Sequence, residues 1–126
     1  MSNLVFISPF FIVADLQASV NFYVHKLGFE VQYIGPEEES YFAMVGRGPV
    51  SLMLKSSGQP LPNHTRYDWA RRDAFISVTD PDALSEEFSA SGVTFNEPLG
   101  VDTDNLRGFS VVDPNGYVLF FGKPDK

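Results

Sequence analysis

Residues 10–31 read FFIVADLQASVNFYVHKLGFEV, and residues 74–95 read AFISVTDPDALSEEFSASGVTF. Both stretches pass from an apolar strand to an Asp, then a helix, a Gly and a second strand, so the two halves of the chain open with the same unit. Asp15 and Asp80 stand 65 residues apart, Phe22 and Phe88 66, and Gly28 and Gly92 64. Each Asp can accept hydrogen bonds from the free amides that begin the following helix, and Pro81 suits the first position of the second one. Leu16, Val20, Tyr23 and Leu27 recur at helical spacing, as do Leu84 and Phe88, which gives each helix one apolar stripe to lay on a sheet. Gly28 and Gly92 are placed to end the helices.

Three strands follow in each half: FEVQYI, YFAMV and VSLMLK, then VTFNEP, GFSVV and YVLFFG. The last two of each set read as a hairpin, turned by GRGP at residues 46–49 and by DPNG at 113–116, where Pro114 and Gly116 suit a type I turn. Aligning Phe42 with Phe109 sets an offset of 67 residues, which carries Val50 onto Tyr117 and Met53 onto Phe120. The expected fold class is α+β: two βαβββ modules whose curved mixed sheets enclose a central cavity. Residues 1–55 form the first module, 56–72 a linking loop and 73–126 the second. The acidic run PEEES at 36–40 reads as a solvated loop between strands.

At 126 residues, with 44% hydrophobic and 20% charged residues, the chain suits one folded domain. Twelve Phe, five Tyr and one Trp must line a core or a pocket. A formal charge of −7 without a basic stripe argues against nucleic acid as a partner. No apolar run is long enough to span a membrane and the start lacks a signal pattern, so a cytoplasmic protein is expected. The lack of cysteine excludes disulfides, thiolate metal sites and cysteine nucleophiles.

The segments VADLQASVNFYVHKLGFEV, VTDPDALSEEFSASGV and VVDPNGYVLFFG together resemble the vicinal oxygen chelate superfamily, which holds glyoxalase I, bleomycin resistance proteins, fosfomycin resistance enzymes and extradiol dioxygenases. The resemblance covers almost the whole chain. It implies that metal-using members draw two ligands from the opening strands of the halves and two from the closing strands, commonly His and Glu. Carried over residue by residue, those places are Ser8, Asp73, Met53 and Phe120. Met53 and Phe120 supply no oxygen or nitrogen, so no metal and no cofactor is expected here. The resemblance then points to the metal-free, drug-binding members, which sequester their ligands, and to a homodimer.

Strand alternation puts Ser8, Phe10 and Ile12 on one face and Asp73, Phe75 and Ser77 on its counterpart, with Val118 and Phe120 joining them. The expected pocket is built from Phe10, Met53, Trp69, Phe75 and Phe120, with Asp73 as its polar anchor. The long segment KSSGQPLPNHTRYDWARR at 55–72 could place His64, Tyr67 and Trp69 over a ligand, and Arg107 could meet an anionic group at the mouth. His25, late in the first helix, reads as structural. The leading expectation is a metal-independent small-molecule binding protein for an aromatic or cationic compound. The rivals are a lyase, isomerase or dioxygenase-related enzyme, with Asp73 or His64 as a base if it is metal-free, and a structural dimer with an idle pocket.

Overall fold

The computed structural model describes residues 3–126; the first two residues of the N-terminal module lie outside them. The first half runs β1 (Phe10–Ile12), α1 (Leu16–Asn21), β2 (Glu30–Gly35), β3 (Phe42–Arg47) and β4 (Val50–Lys55). The second runs β5 (Ala74–Ser77), α2 (Pro81–Ala90), β6 (Phe95–Val101), β7 (Leu106–Val112) and β8 (Val118–Pro124). Each half forms its own four-stranded mixed sheet, ordered β1-β4-β3-β2 and β5-β8-β7-β6. In both, the opening strand lies parallel to the closing strand, and the others pair antiparallel. Among the described residues no helix is long and apolar enough to cross a membrane.

The helix ends follow from their side chains. Asp15 accepts from the Ala18 amide at 3.0 Å and Asp80 from the Ala83 amide at 3.1 Å, each satisfying a donor that the helix cannot. Gly28 and Gly92 take φ of +74° and +82°, the left-handed conformation that closes a helix. One more residue lies between Asp15 and Gly28 than between Asp80 and Gly92. Helix α1 absorbs it by running on as a single π-helical segment, Phe22–Lys26. The buried counterpart of Phe88 is therefore Tyr23, not Phe22, since both are sealed in the core and both keep the 65-residue offset.

The hairpins need a similar correction. Met53 pairs with Phe10 and Phe120 with Phe75, so the 67-residue offset holds for the closing strands. On the neighbouring strand, Phe42 lies opposite Lys55 and Gly108 opposite Gly122, whereas Phe109 lies opposite Phe121. Phe42 thus corresponds to Gly108, and Phe109 points to the opposite face. The second turn is one residue longer, and a slip of one residue inverts every side chain of a strand.

That alternation divides each sheet. Phe11, Leu52, Leu54, Ala43 and Val45 from the first, and Ala74, Ile76, Phe109, Val111, Leu119 and Phe121 from the second, join the helix stripes in one buried cluster. The modules are locked together where the turn before β8 reaches onto the first half. Tyr117 stacks on Phe11, with ring centroids 4.1 Å apart, and donates its hydroxyl to the Ile12 carbonyl at 2.8 Å. Tyr23 donates to Asp113 at 2.7 Å, and Asn115 donates to Ser19 while accepting from the Ala14 amide.

Burial holds the Asp113 carboxyl above its usual range, against the lowering effect of its bonds from Tyr23 and the Tyr117 and Asn115 amides. The folded state therefore binds this proton more tightly than the unfolded chain does. Its contribution to stability falls as pH rises from the ordinary carboxylate value through the raised one. Replacing Asp113 by Ala strips partners from a buried tyrosine hydroxyl and two amides, and should cost about 2–4 kcal/mol in urea unfolding. Asp113→Asn should compare best with the parent at neutral pH and worst in acid, because only the parent gains from protonation.

Candidate ligand-binding site

The face of each sheet turned away from the helices is the candidate site. In the first sheet it carries Phe10, Met53, Met44 and Phe42, with Phe42 6.2 Å from Phe10 and 6.0 Å from Tyr33 between ring centroids. In the second it carries Phe75, Phe120, Ser110 and the glycines Gly108 and Gly122. Phe75 stacks on Phe120 at 5.6 Å. The two equivalent phenylalanines are half open to solvent, Phe10 at 53% and Phe75 at 51%. The ring contacts fall into separate sets, one on each sheet, and Phe10 and Phe75 stay open to solvent.

Phe120 is buried without being in the main core, and three groups that the sequence reading passed over explain it. A Cβ on Gly108 or Gly122 would collide with the Phe120 ring, so the ring needs glycine at both positions of the paired strands. Arg72 covers the ring, its guanidinium carbon 3.7 Å from the centroid. The guanidinium is held by Asp102 at 2.8 Å, with Glu97 at 3.8 Å. Around this stack lies a recess of about 150 Å³, lined also by Pro98, Gly100, Val101 and Leu106. Burial works to raise the Asp102 carboxyl, but bonds from the Leu106 amide, Arg72 and the Asp104 amide take it below its usual value.

The remaining sequence candidates divide. Ser8 donates its hydroxyl to the carbonyls of Pro9 and Ser51. Asp73 closes the start of β5: its amide donates to the Val118 carbonyl and its carboxylate accepts from the Val118 amide, both at 2.8 Å. It is half-buried and anchors a strand, with one carboxylate oxygen engaged by backbone. Tyr67 and Trp69 stack on each other at 5.1 Å around the short 3₁₀ turn Asp68–Ala70, yet both are exposed, Trp69 at 74%. Trp69 stacks on Tyr67 rather than on Phe10 or Phe120, and His64 is likewise exposed. Arg107 is a correction: it shares a strand face with Phe109, toward the helices, and grips Asp82 of α2 through two bonds of 2.8 and 2.7 Å. It has no place at the mouth of either open face.

The fit to a divalent ion fails on donor chemistry. Ser8 is committed to two carbonyls, Met53 offers a thioether, Phe120 offers hydrocarbon, and only Asp73 carries a carboxylate. Among the described residues no three His, Asp or Glu side chains gather elsewhere in a metal-holding group.

The family model of the Glyoxalase/Bleomycin resistance protein/Dioxygenase superfamily matches residues 5–121. The chain belongs to that superfamily. Among solved structures it is similar to a bleomycin-binding protein from the bleomycin producer Streptomyces verticillus, complexed with copper(II)-bleomycin. Identity is 29% over 100% of both chains, with a TM-score of 0.72. It shares its fold with TnmS3, an antibiotic binding protein from Streptomyces sp. CB03234, at 21% identity over 99% of this chain and 100% of that one, TM-score 0.73. The same fold appears in a glyoxalase/bleomycin resistance protein/dioxygenase from Alicyclobacillus acidocaldarius, at 21% identity over 95% and 90% of the chains, TM-score 0.74. A comparison with curated proteins finds no match.

Removing Arg72 tests the stack. Arg72→Ala uncovers Phe120 and takes the cation from Asp102, whose lowered carboxyl contributes stability above its unfolded value and loses it as pH falls through the folded one. The variant should be less stable than the parent at neutral pH, and the gap should narrow as the pH falls below the ordinary carboxylate range, as followed by thermal unfolding. Gly122→Ala should displace the Phe120 ring and cost about 1–3 kcal/mol.

Proposed function

We propose that this chain is a metal-independent binding protein that sequesters a flat aromatic, cation-bearing small molecule on the open faces of its sheets. The observation that carries the reading is the pair Phe10 and Phe75, at equivalent positions of the two sheets, each half-exposed beside further aromatic side chains. Half-exposed rings in a cluster offer apolar and π surface that a planar ligand can cover. The charge of −7, with Glu97 beside the Phe120 stack, favours a cation. The bleomycin-binding protein of Streptomyces verticillus, complexed with copper(II)-bleomycin, supports small-molecule binding by similarity. The lyase, isomerase and dioxygenase readings need an electrophile that the inherited donor positions do not provide for.

A homodimer goes with this reading. Val5, Phe6 and Ile7 precede β1 as an exposed apolar stretch, and Phe10 and Phe75 are exposed on the sheets, so a second copy would have apolar side chains to cover. Aromatic faces that stay open within one chain become a pocket when another chain lies across them. The domain is proposed to comprise residues 1–55 and 73–126 as modules joined by 56–72.

Thermal unfolding against copper(II)-bleomycin and a panel of flat aromatic cations tests the function, because a ligand bound only to the folded state raises the transition. At 100 times its dissociation constant a ligand should add about 2.7 kcal/mol, a shift of several degrees. Phe75→Ala and Phe10→Ala should each weaken binding about tenfold or more. A flat response to the whole panel would refute ligand sequestration, and one bound divalent ion per chain with turnover would restore the enzyme reading. Sedimentation at micromolar concentration should show a dimer; a monomer there would contradict the shared pocket.

A further inference from the structure

The two modules meet through two pseudo-equivalent contacts, and the sequence fills only one of them with an aromatic ring. At the filled contact Tyr117 lies flat on Phe11, the planes within 5°, its hydroxyl on the Ile12 carbonyl, while Asp113 receives the Tyr23 hydroxyl. The strand registers and helix offsets assign the counterparts. Asp113 donates its amide to the Tyr117 carbonyl as the first pair beyond Val112 and Val118, just as Arg47 and Val50 pair beyond Gly46 and Ser51. Arg47 thus replaces Asp113 and Val50 replaces Tyr117. Ile76 stands for Phe11, Ser77 for Ile12, and Phe88 for Tyr23.

Those five replacements all line one cleft of about 480 Å³, whose further walls include Phe29, Leu84 and Phe121. Where Tyr117 inserts a phenol, Val50 brings only two methyl groups. The hairpin is held at the rim instead: Arg47 makes two bonds of 2.8 Å to Glu87 and a third to the Leu27 carbonyl. The hydrogen-bond acceptor is still in place. Val78 donates to the Gly122 carbonyl, so the backbone groups of Ser77 face outward from the edge strand β5, as those of Ile12 do from β1.

We propose that this cleft is a second small-molecule site, separate from the open sheet faces, and that it takes an uncharged phenol. The ring would lie on Ile76 between Val50 and Phe88 and donate its hydroxyl to the Ser77 carbonyl, repeating with a free ligand what Tyr117 does covalently. The volume falls in the range of ligand pockets and leaves room for a substituent. Asp80 and Glu87 on the lining, against Arg47 alone, disfavour an anionic ligand.

The test is a titration of isotope-labelled protein with p-cresol, followed by amide NMR shifts, with toluene and 4-methylbenzoate alongside. Saturable shifts should centre on Val50, Ile76, Ser77, Ala83 and Leu84, with a dissociation constant on the order of 1 mM. Toluene should bind several-fold more weakly and the benzoate more weakly still. Val50→Tyr should abolish the shifts and raise the melting temperature; if it does not fold, Ala83→Phe blocks the same cleft from α2. Absent or unsaturable shifts, or equal binding by the filled variant, would overturn the proposal. Shifts confined to the faces of Phe10, Phe75 and Phe120 would also overturn it while leaving the sequestration reading intact.

Discussion

The strict alternation of the closing strands β4 and β8 governs this molecule. Leu52 and Leu54 in one, and Leu119 and Phe121 in the other, are sealed in the shared core, so Met53 and Phe120 have no choice of side. Because each closing strand is flanked by its opening strand and by a hairpin partner, that choice propagates to Phe10, Phe42, Phe75 and Gly108. The open aromatic faces are the other side of a core that burial makes non-negotiable.

The same duplication lets the two halves diverge. In the second half, glycines at 108 and 122 make a floor on which Phe120 lies under Arg72, while the first half sets Phe42 and Lys55 at those places. At the module interface the asymmetry runs the other way, with Tyr117 and Asp113 filling one contact and an Arg47–Glu87 ion pair bridging the other. Exposed ion pairs of this kind contribute little to stability. The Tyr117 contact, with its ring stacking and buried hydrogen bonds, contributes more of what keeps the halves together.

The modules were legible in the sequence because their signals are local: an Asp that caps, a stripe at helical period, a Gly that stops. What failed were inferences about face and register made without the pairing. Phe42 and Phe109 look alike, yet a turn one residue longer puts them on opposite sides. Phe22 looked like the mate of Phe88 because nothing local announces a π-helical insertion. Arg107 was one position away from the open face. Arg72, Glu97 and Asp102 escaped notice because their meeting over Phe120 depends on contacts between distant strands. The metal-ligand positions came from the family resemblance, and the repeat only relates them in pairs: 65 residues separate Ser8 from Asp73 and 67 separate Met53 from Phe120.

A crystal structure grown with copper(II)-bleomycin, or with the tightest aromatic cation found, tests the central claim most directly. Density for the ligand against Phe10 and Phe75, with Ser8 and Asp73 keeping their backbone partners, is the expected result. An ion coordinated by Ser8 and Asp73, or a ligand bound with both phenylalanines still facing solvent, would contradict it.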